Sequence, residues 1–180
     1  MAGRPDPLPH LARLALAQAE PAQPAATLAA LDAALAAAVG HLLCTMQVHH
    51  PGGEAERVYS NLPGAYPVGG RKRASTAPRM RELMQHGQPI LIRTEAELWA
   101  SYPDHAGATA LGCGSAMNTP VRWQGRTLGQ VNLMHKPGWY TENDVLLVRS
   151  FAQLALPAFL ALTEGRVTDQ FPTPPRATGA

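Results

Sequence analysis

The chain has 180 residues, 46% of them hydrophobic, and a formal net charge of +2. This length and apolar content are sufficient for one domain built around one sizeable core. The basic residues are scattered apart from Arg71-Lys72-Arg73, so the sequence has no basic face interleaved with aromatics and predicts no nucleic-acid partner.

Cysteine content and the absence of targeting signals indicate the compartment. Cys44 and Cys113 are too few for a disulfide scaffold and fit a reducing cytosol. Near the N-terminus, Arg13 splits the apolar run of residues 11–19, so we do not expect a signal peptide. No stretch approaches the length of a membrane-spanning helix. We therefore expect a cytoplasmic protein with no membrane partner.

The N-terminal third predicts an arm, a helix and a hairpin. Residues 1–26 read as a flexible arm because prolines flank a short amphipathic piece. Thr27 is predicted to cap a helix that Gly40 ends. Its apolar stripe consists of Leu28, Leu31, Leu35 and Val39. Two strands are expected to follow, over residues 42–49 and 56–61, joined by a Pro-Gly-Gly turn.

The middle segment, residues 62–114, predicts short elements separated by loops. A helix over residues 78–86 is expected to be capped by Thr76. Residues 90–92 read as a short buried strand. Thr94 and Glu97 form a capping-box pattern before another brief helix. Residues 102–114 show no clear period and are interpreted as a loop over the end of the sheet.

Residues 115–135 predict a hairpin at the centre of the sheet, with Gln124-Gly125 as its tight turn. A regular two-residue turn would place Asn118 opposite Val131 and Met117 opposite Asn132. The two asparagine side chains would then lie on opposite faces, each either reaching the pocket or anchoring neighbouring structure.

The last helix is predicted to begin after Thr141, with Asp144 completing a capping box. Its apolar positions include Val145, Val148 and Phe159, and Pro157 predicts a bend over residues 153–157. Residues 165–180 are rich in Pro, Thr and Ala and read as a disordered tail.

This element order predicts an α+β fold with a central antiparallel sheet. The N- and C-terminal helices would cover one face, and short helices and loops would cover a pocket on the other. The lining is expected to be apolar and aromatic, which suits a small neutral or weakly polar ligand that stacks on Trp99. The predicted ligand-binding residues are Tyr59, Met80, Met84, Trp99, Tyr102, Cys113, Ser115 and Asn118.

The chain from residue 27 to residue 164 resembles a GAF domain. The motifs that carry the resemblance are residues 118–121, residues 128–129 and residues 140–144. The family supplies small-molecule sensing modules of bacterial signalling proteins. Membership would imply a pocket on the side of the sheet away from the terminal helices, and terminal helices that pair into a homodimer. A sensory protein that acts through association, without its own catalytic activity or cofactor, is the leading interpretation.

Two branches of the family fit less well. Of the residues typical of cyclic-nucleotide binders only Lys136 and Asp144 are present, and Asp144 also has the simpler role of a helix cap. The alternative function is a free methionine-(R)-sulfoxide reductase. The glutamate of those enzymes is replaced here by Ala116, and no cysteine occurs in residues 69–77. Cys44 has apolar alternate neighbours, which predicts a buried, inert thiol.

Histidines raise the question of a metal site. His49 and His50 are adjacent in a predicted strand and would point to opposite faces, so they cannot chelate one ion together. No Cys or His spacing matches a structural zinc site. The sequence therefore predicts no metal.

Overall fold

The computed structural model describes residues 4–73, 78–102 and 105–163. Its centre is a six-stranded antiparallel sheet in the order β3-β2-β1-β6-β5-β4. The strands are β1 (Leu43–His50), β2 (Glu54–Ser60), β3 (Arg71–Arg73), β4 (Ile90–Ile92), β5 (Ser115–Trp123) and β6 (Arg126–His135). The predicted antiparallel α+β architecture is confirmed.

Helices cover both faces of this sheet. One face carries α1 (Leu8–Ala17), α2 (Ala25–Ala38), α6 (Glu142–Leu154) and α7 (Leu156–Leu162), and the other carries α3 (Pro78–His86), α4 (Glu95–Ser101) and α5 (Ala106–Ala110). No single helix in the described part of the chain is long and apolar enough to span a membrane. Only α6 and α7, bent by 53° at their junction, would reach that length together.

The larger core lies between the sheet and the terminal helices. The predicted stripe of α2 is buried here, with Leu31 and Leu35 fully inaccessible. Phe159 of α7 is also fully buried and approaches the backbone of β6 closely, because Gly129 presents no side chain. The second core lies on the opposite face, where Leu83 of α3 and Leu98 of α4 pack against the sheet.

The N-terminal segment differs from the flexible arm expected for residues 1–26. Residues 8–17 form α1, which packs against α2 and α6 and buries Leu14 completely. Arg4 donates hydrogen bonds to both carboxylate oxygens of Asp144, at 2.8 and 3.2 Å, and to the Val39 carbonyl at 2.8 Å. The amphipathic piece is therefore docked, because its leucines have an apolar surface to cover.

The start of α2 also differs from the prediction. The helix begins at Ala25 after Pro24, and Thr27 lies inside its first turn. The Thr27 hydroxyl donates to the side-chain oxygen of Gln23 at 2.7 Å instead of accepting a bond from the backbone. The first backbone N–H groups of a helix have no partner within the helix. Proline has no N–H, so a helix can start beside it without a side-chain cap.

The central hairpin forms as predicted but in a different register. Gln124 and Gly125 both have positive φ, as a two-residue hairpin turn requires. A register shift between Val121 and Arg122 then places Asn118 directly opposite Asn132. The expectation that the two amides lie on opposite faces is wrong, since one bulge inverts the facing of everything beyond it.

The C-terminal helix and the middle segment show three further outcomes. The bend is confirmed, with α6 ending at Leu154 and α7 beginning at Leu156. Asp144 caps α6 by accepting a bond from the Thr141 N–H at 2.9 Å. Strand β3 and helix α5 form within stretches that were interpreted as loops. The predicted cap Thr76 and the tail 165–180 lie outside the described residues.

A polar cavity between the sheet and its cover

A cavity lies between the sheet and the layer formed by α3, α4 and α5. It encloses about 60 Å³ of solvent-accessible space. The sheet contributes its floor, and the short helices with the loop before β3 contribute its walls. The lining residues are Leu43, Thr45, Gln47, Arg57, Tyr66, Lys72, Met80, Leu98, Tyr102, His105, Ala108, Asn118, Gln130, Asn132 and Met134.

A directional chain of hydrogen bonds runs across the cavity floor. His49 Nε2 lies 3.1 Å from the side-chain oxygen of Gln130, which can only accept, so this ring nitrogen carries the proton. Gln130 Nε2 donates to Asn132 Oδ1 at 2.5 Å, and Asn132 Nδ2 donates to the Thr45 hydroxyl at 3.2 Å. Burial lowers the pKa of His49 to about 4, which keeps the ring neutral. The Thr45 hydroxyl retains its own proton to donate.

Two buried acceptors on the floor have no donor within the described residues. They are Gln47 Oε1 and Asn118 Oδ1, on side chains that are 6% and 3% exposed. The amide nitrogen of Asn118 is occupied, because it donates to the Tyr102 hydroxyl at 2.7 Å. Leaving a buried acceptor without a donor costs about 1–3 kcal/mol. Both acceptors line the cavity, so a molecule inside it could satisfy them.

The cavity wall also carries positive charge. Arg57 of β2 and Lys72 of β3 both line it, and the described part of its lining contains no carboxylate. The Arg57 guanidinium donates to the Pro67 carbonyl at 3.0 Å and lies 5.2 Å from the centre of the Tyr66 ring. These contacts fix the guanidinium at the rim, where it favours an anionic ligand.

Of the eight predicted site residues, the structure brings three to the cavity. Met80, Tyr102 and Asn118 line it. Trp99 does not, because its ring is 48% exposed on the outer side of α4 and its Nε1 donates to Thr109 at 3.3 Å. The expected stacking platform is therefore absent from the cavity. Met84 packs beside the cavity, with Met80.

Ser115 and Cys113 are buried but also lie outside the lining. The Ser115 hydroxyl is committed to the backbone, donating to the carbonyl of Lys136 at 2.9 Å. Cys113 packs in the smaller core beneath the short helices. Burial raises its pKa to about 11, so at neutral pH it is a thiol.

Tyr59 is predicted to line the pocket, but its side chain lies on the opposite face of the sheet. A register shift in the β1–β2 pair sets Tyr59 opposite Met46 and Arg57 opposite Gln47. Arg57 therefore faces the cavity, whereas the Tyr59 hydroxyl donates to Asp32 of α2 at 3.0 Å. In a regular strand, residues 57 and 59 would share one face of the sheet. Because of the bulge, Arg57 lies at the cavity and Tyr59 lies on the opposite face.

The sequence does contain a signal for the polar floor. Thr45 and Gln47 alternate in β1, and Gln130 and Asn132 alternate in β6. Polar side chains at a spacing of two, within strands whose other positions are apolar, indicate a polar surface on one face of a central sheet. Nothing comparable identifies Lys72 or His105, which lie in elements that were not predicted.

The two thiols lie in different cores. Cys44 is fully buried among the residues that face the terminal helices, and Cys113 lies in the core on the cavity side. Both are free cysteines. Burial and the neighbouring Asp32 carboxylate raise the pKa of Cys44 well above its usual value. Within the described residues the cavity lining contains no cysteine.

Solved structures with similar folds include several GAF domains and a free methionine-R-sulfoxide reductase. The GAF domain of a phosphoenolpyruvate-protein phosphotransferase from Acinetobacter aligns with a TM-score of 0.70 at 13% identity, covering 89% of this chain and 96% of that one. The free methionine-R-sulfoxide reductase of Neisseria meningitidis, solved with its substrate, aligns with a TM-score of 0.65 at 16% identity, covering 88% and 91%. At these identities the likeness concerns the fold alone.

A phycocyanobilin-bound GAF domain from a cyanobacterial phytochrome gives a TM-score of 0.65 at 17% identity, covering 91% of this chain and 98% of that one. No protein of curated function matches the chain. The family model described as "GAF domain" matches residues 11–159. That match includes α2, α6 and the whole sheet. The chain therefore belongs to the GAF domain family, known for small-molecule sensing and regulation.

Proposed function

We propose that this GAF domain binds a small organic acid in the polar cavity and that binding regulates association of the protein with a partner or with its own second copy. One observation carries the proposal. Two buried acceptors without donors, Gln47 Oε1 and Asn118 Oδ1, border a space that Arg57 and Lys72 also border.

The chemistry of the lining defines the ligand. An acidic group is favoured by the two cations, and Arg57 can hold a carboxylate by paired hydrogen bonds. N–H or O–H groups on the same molecule would donate to Gln47 and Asn118, which removes the cost of their unpaired oxygens. A space of about 60 Å³ accommodates about four waters at ~15 Å³ each. The ligand is therefore a compact molecule, such as a hydroxy acid or an amino acid.

This ligand differs from the neutral, stacking ligand expected from the sequence. That expectation rested on Trp99 and Tyr59, and both lie away from the cavity. With Arg57 and Lys72 bordering the cavity instead, an acidic ligand gains an electrostatic attraction that a neutral planar ligand lacks.

The terminal helices supply the surface for association. Five alanines of α2 are exposed at spacings that place them along one side of the helix: Ala25, Ala29, Ala33, Ala36 and Ala37. Small residues let two helices approach closely. Leu16 of α1 and Leu146 of α6 are also 73% and 74% exposed, which is high for leucine and typical of a surface that another chain covers.

The sheet connects the cavity to that surface. Thr45 lines the cavity, and its neighbours in β1, Cys44 and Met46, belong to the core under α2. Ligand that orders β1 would therefore also order the packing of α2. A ligand shifts such an equilibrium only by its difference in affinity for the two states, so association and binding should each strengthen the other.

A thermal-unfolding panel tests ligand binding. The full chain is melted with small carboxylic acids and amino acids, each paired with its neutral amide. An acid present at one hundred times its Kd stabilises the folded state by about 2.7 kcal/mol, which raises Tm by several degrees in a domain of this size. Acids that raise Tm while their amides do not support the proposal. Equal effects of acid and amide, or no effect across the panel, contradict it.

A charge-matched pair of variants locates the site. Lys72→Met removes a cation from the cavity wall, and Arg149→Met removes one from the exposed surface of α6 on the other face. Both variants change the net charge equally. We expect Lys72→Met to weaken binding of the acid at least tenfold and Arg149→Met to leave it unchanged. The reverse pattern would place the acid elsewhere on the protein.

Sizing with light scattering at micromolar concentration tests association. The proposal expects a homodimer, or a monomer that dimerises when the acid is added, and Ala33→Glu on the exposed side of α2 should disrupt it. A protein that stays monomeric with and without the acid contradicts association with its own copy.

A further inference from the structure

Three side chains with metal-binding atoms meet on the opposite face of the sheet from the cavity. They are Asp32 of α2, His41 in the turn after α2, and Cys44 of β1. One carboxylate oxygen, one ring nitrogen and the thiol sulfur all lie within 4.8 Å of one another. Neither His41 nor Asp32 lines the cavity, and Cys44 belongs to the core under the terminal helices.

The local fold holds these residues in place without a ligand. Helix α2 ends at Ala38 with Val39 as its C-cap, and Gly40 turns the chain with a φ of +77°, so His41 folds back beside Asp32. Two bonds clamp this turn, because Trp139 Nε1 donates to the Val39 carbonyl and the Tyr140 hydroxyl donates to the Gly40 carbonyl, both at 2.8 Å. A site fixed in this way loses little entropy when an ion binds.

The carboxylate of Asp32 is incompletely satisfied. Its Oδ2 accepts from the Tyr59 hydroxyl at 3.0 Å. Its Oδ1 lies 3.1 Å from His41 Nε2, which also lies 3.3 Å from the Asp32 carbonyl oxygen. The carboxylate interacts with the Cys44 thiol as well, but within the described residues no hydrogen bond to Oδ1 has good geometry. The 3.1 Å separation is close to the edge of a tetrahedron with metal–ligand bonds of about 2.0–2.1 Å, which is about 3.3 Å.

We propose that Asp32, His41 and Cys44 bind a divalent transition-metal ion, of which Zn²⁺ is the reference case. Mixed sulfur, nitrogen and oxygen donors suit borderline ions such as zinc and cobalt rather than magnesium or calcium. Binding releases the thiol proton of Cys44 to solvent, so thiolate and carboxylate together balance the charge of the ion. The fourth position is left for water, and Tyr59 orients the Asp32 carboxylate from outside the ligand set.

Access and burial are consistent with an exchangeable ion. The side chain of Asp32 is 18% exposed and that of His41 4%, so the cluster opens to solvent beside α2. Cys44 lies beneath them and is inaccessible. A metal entering along this path reaches the oxygen and nitrogen ligands first and the sulfur last.

Titration of the reduced full-length protein with Co²⁺ tests the site, because cobalt–thiolate bonding gives a charge-transfer band in the near ultraviolet and tetrahedral cobalt gives visible bands. We expect saturation at one ion per chain and complete displacement by one equivalent of Zn²⁺. Cys44→Ser should abolish the charge-transfer band, whereas Cys113→Ser, the matched change at the other buried thiol, should preserve it.

Asp32→Asn and His41→Gln keep the thiol and should weaken Co²⁺ affinity at least tenfold. Circular dichroism identifies any variant that fails to fold, and the wild-type titration with its Cys113→Ser control remains decisive in that case. No charge-transfer band in the wild-type protein overturns the proposal. So does a band that depends on Cys113 instead of Cys44, or one that survives both Asp32→Asn and His41→Gln.

Discussion

Replacing Asn118 by leucine separates a residue that serves a ligand from one that serves the fold. Asn118 is 3% exposed, its Oδ1 has no donor within the described residues, and its Nδ2 donates one bond, to the Tyr102 hydroxyl. The polar side chain therefore makes one bond worth about 0.5–1.5 kcal/mol and carries one unsatisfied acceptor that costs about 1–3 kcal/mol. Leucine removes both contributions and adds apolar burial of about 1 kcal/mol or more. Tyr102 loses the Asn118 donor but keeps a further interaction of its own.

These contributions predict that Asn118→Leu leaves the free energy of unfolding unchanged or raises it by about 1–2 kcal/mol, while binding of the organic acid falls at least tenfold. Asn132 is the matched comparison, because it occupies the opposing position on β6 and both ends of its amide are bonded, from Gln130 and to Thr45. Asn132→Leu leaves those two partners unsatisfied and should destabilise the protein by about 2–4 kcal/mol.

Urea unfolding followed by tyrosine and tryptophan fluorescence measures both free energies in the absence of ligand. A loss of more than about 2 kcal/mol in Asn118→Leu would show that Asn118 anchors the fold, as the alternative drawn from the sequence holds. Equal effects of the two substitutions would likewise refute the reasoning, because the difference in their hydrogen bonding would then have no consequence.

Three further predictions concern the framework of the site. A Cβ on Gly129 would collide with the backbone carbonyl oxygen of Gln47 in β1, so Gly129→Ala should lower the free energy of unfolding in urea by about 3 kcal/mol or more. Gly64→Ala is the control, because a Cβ at Gly64 meets nothing within 4 Å, and it should cost under about 0.5 kcal/mol. Burial lowers the pKa of His49 to about 4, below its unfolded value of about 6.5. The contribution of His49 to the free energy of unfolding is therefore complete above pH 6.5 and falls by about 1–3 kcal/mol towards pH 4. His49→Gln should flatten this part of the stability–pH profile, and an unchanged profile would contradict the lowered pKa of His49. Arg4→Gln breaks the ion pair with the largely buried Asp144 and should lower the free energy of unfolding by about 1–3 kcal/mol. A loss below about 0.3 kcal/mol in urea unfolding would mean that the N-terminal segment is not docked in solution.

Local patterns in the sequence predicted most of the fold. The turn at Gln124-Gly125, the caps at Thr94 and Asp144, and the break before Pro157 are signalled by residues whose backbone preferences act within a few positions. The α1 segment has an amphipathic pattern, but its docking depends on an apolar surface made jointly by α2, the next helix, and by α6, which is distant in sequence. Propensity therefore identified the helix, and only tertiary contact could have decided whether it is attached.

The composition of the site was harder to predict because two register shifts decide it. The shift in the β1–β2 pair turns Arg57 towards the cavity and Tyr59 away from it, and the shift in the β5–β6 pair brings Asn118 and Asn132 together. A bulge depends on the balance of packing on both faces of a sheet, and no residue type in either strand pair predicts it. Trp99 was assigned to the pocket from its size and place in the sequence, yet its ring lies outward on α4.

The small molecules that the purified protein retains show directly whether the cavity binds an organic acid. The wild-type chain and Asn118→Leu are purified in parallel under native conditions and desalted. Each is then denatured, and the released molecules are identified by mass spectrometry with stoichiometric quantification. We expect a compact organic acid with N–H or O–H donors to be released from the wild-type protein, and its amount to be reduced at least tenfold in the variant. Release of a neutral or purely apolar molecule, or of the same acid in equal amount from both proteins, would contradict this expectation.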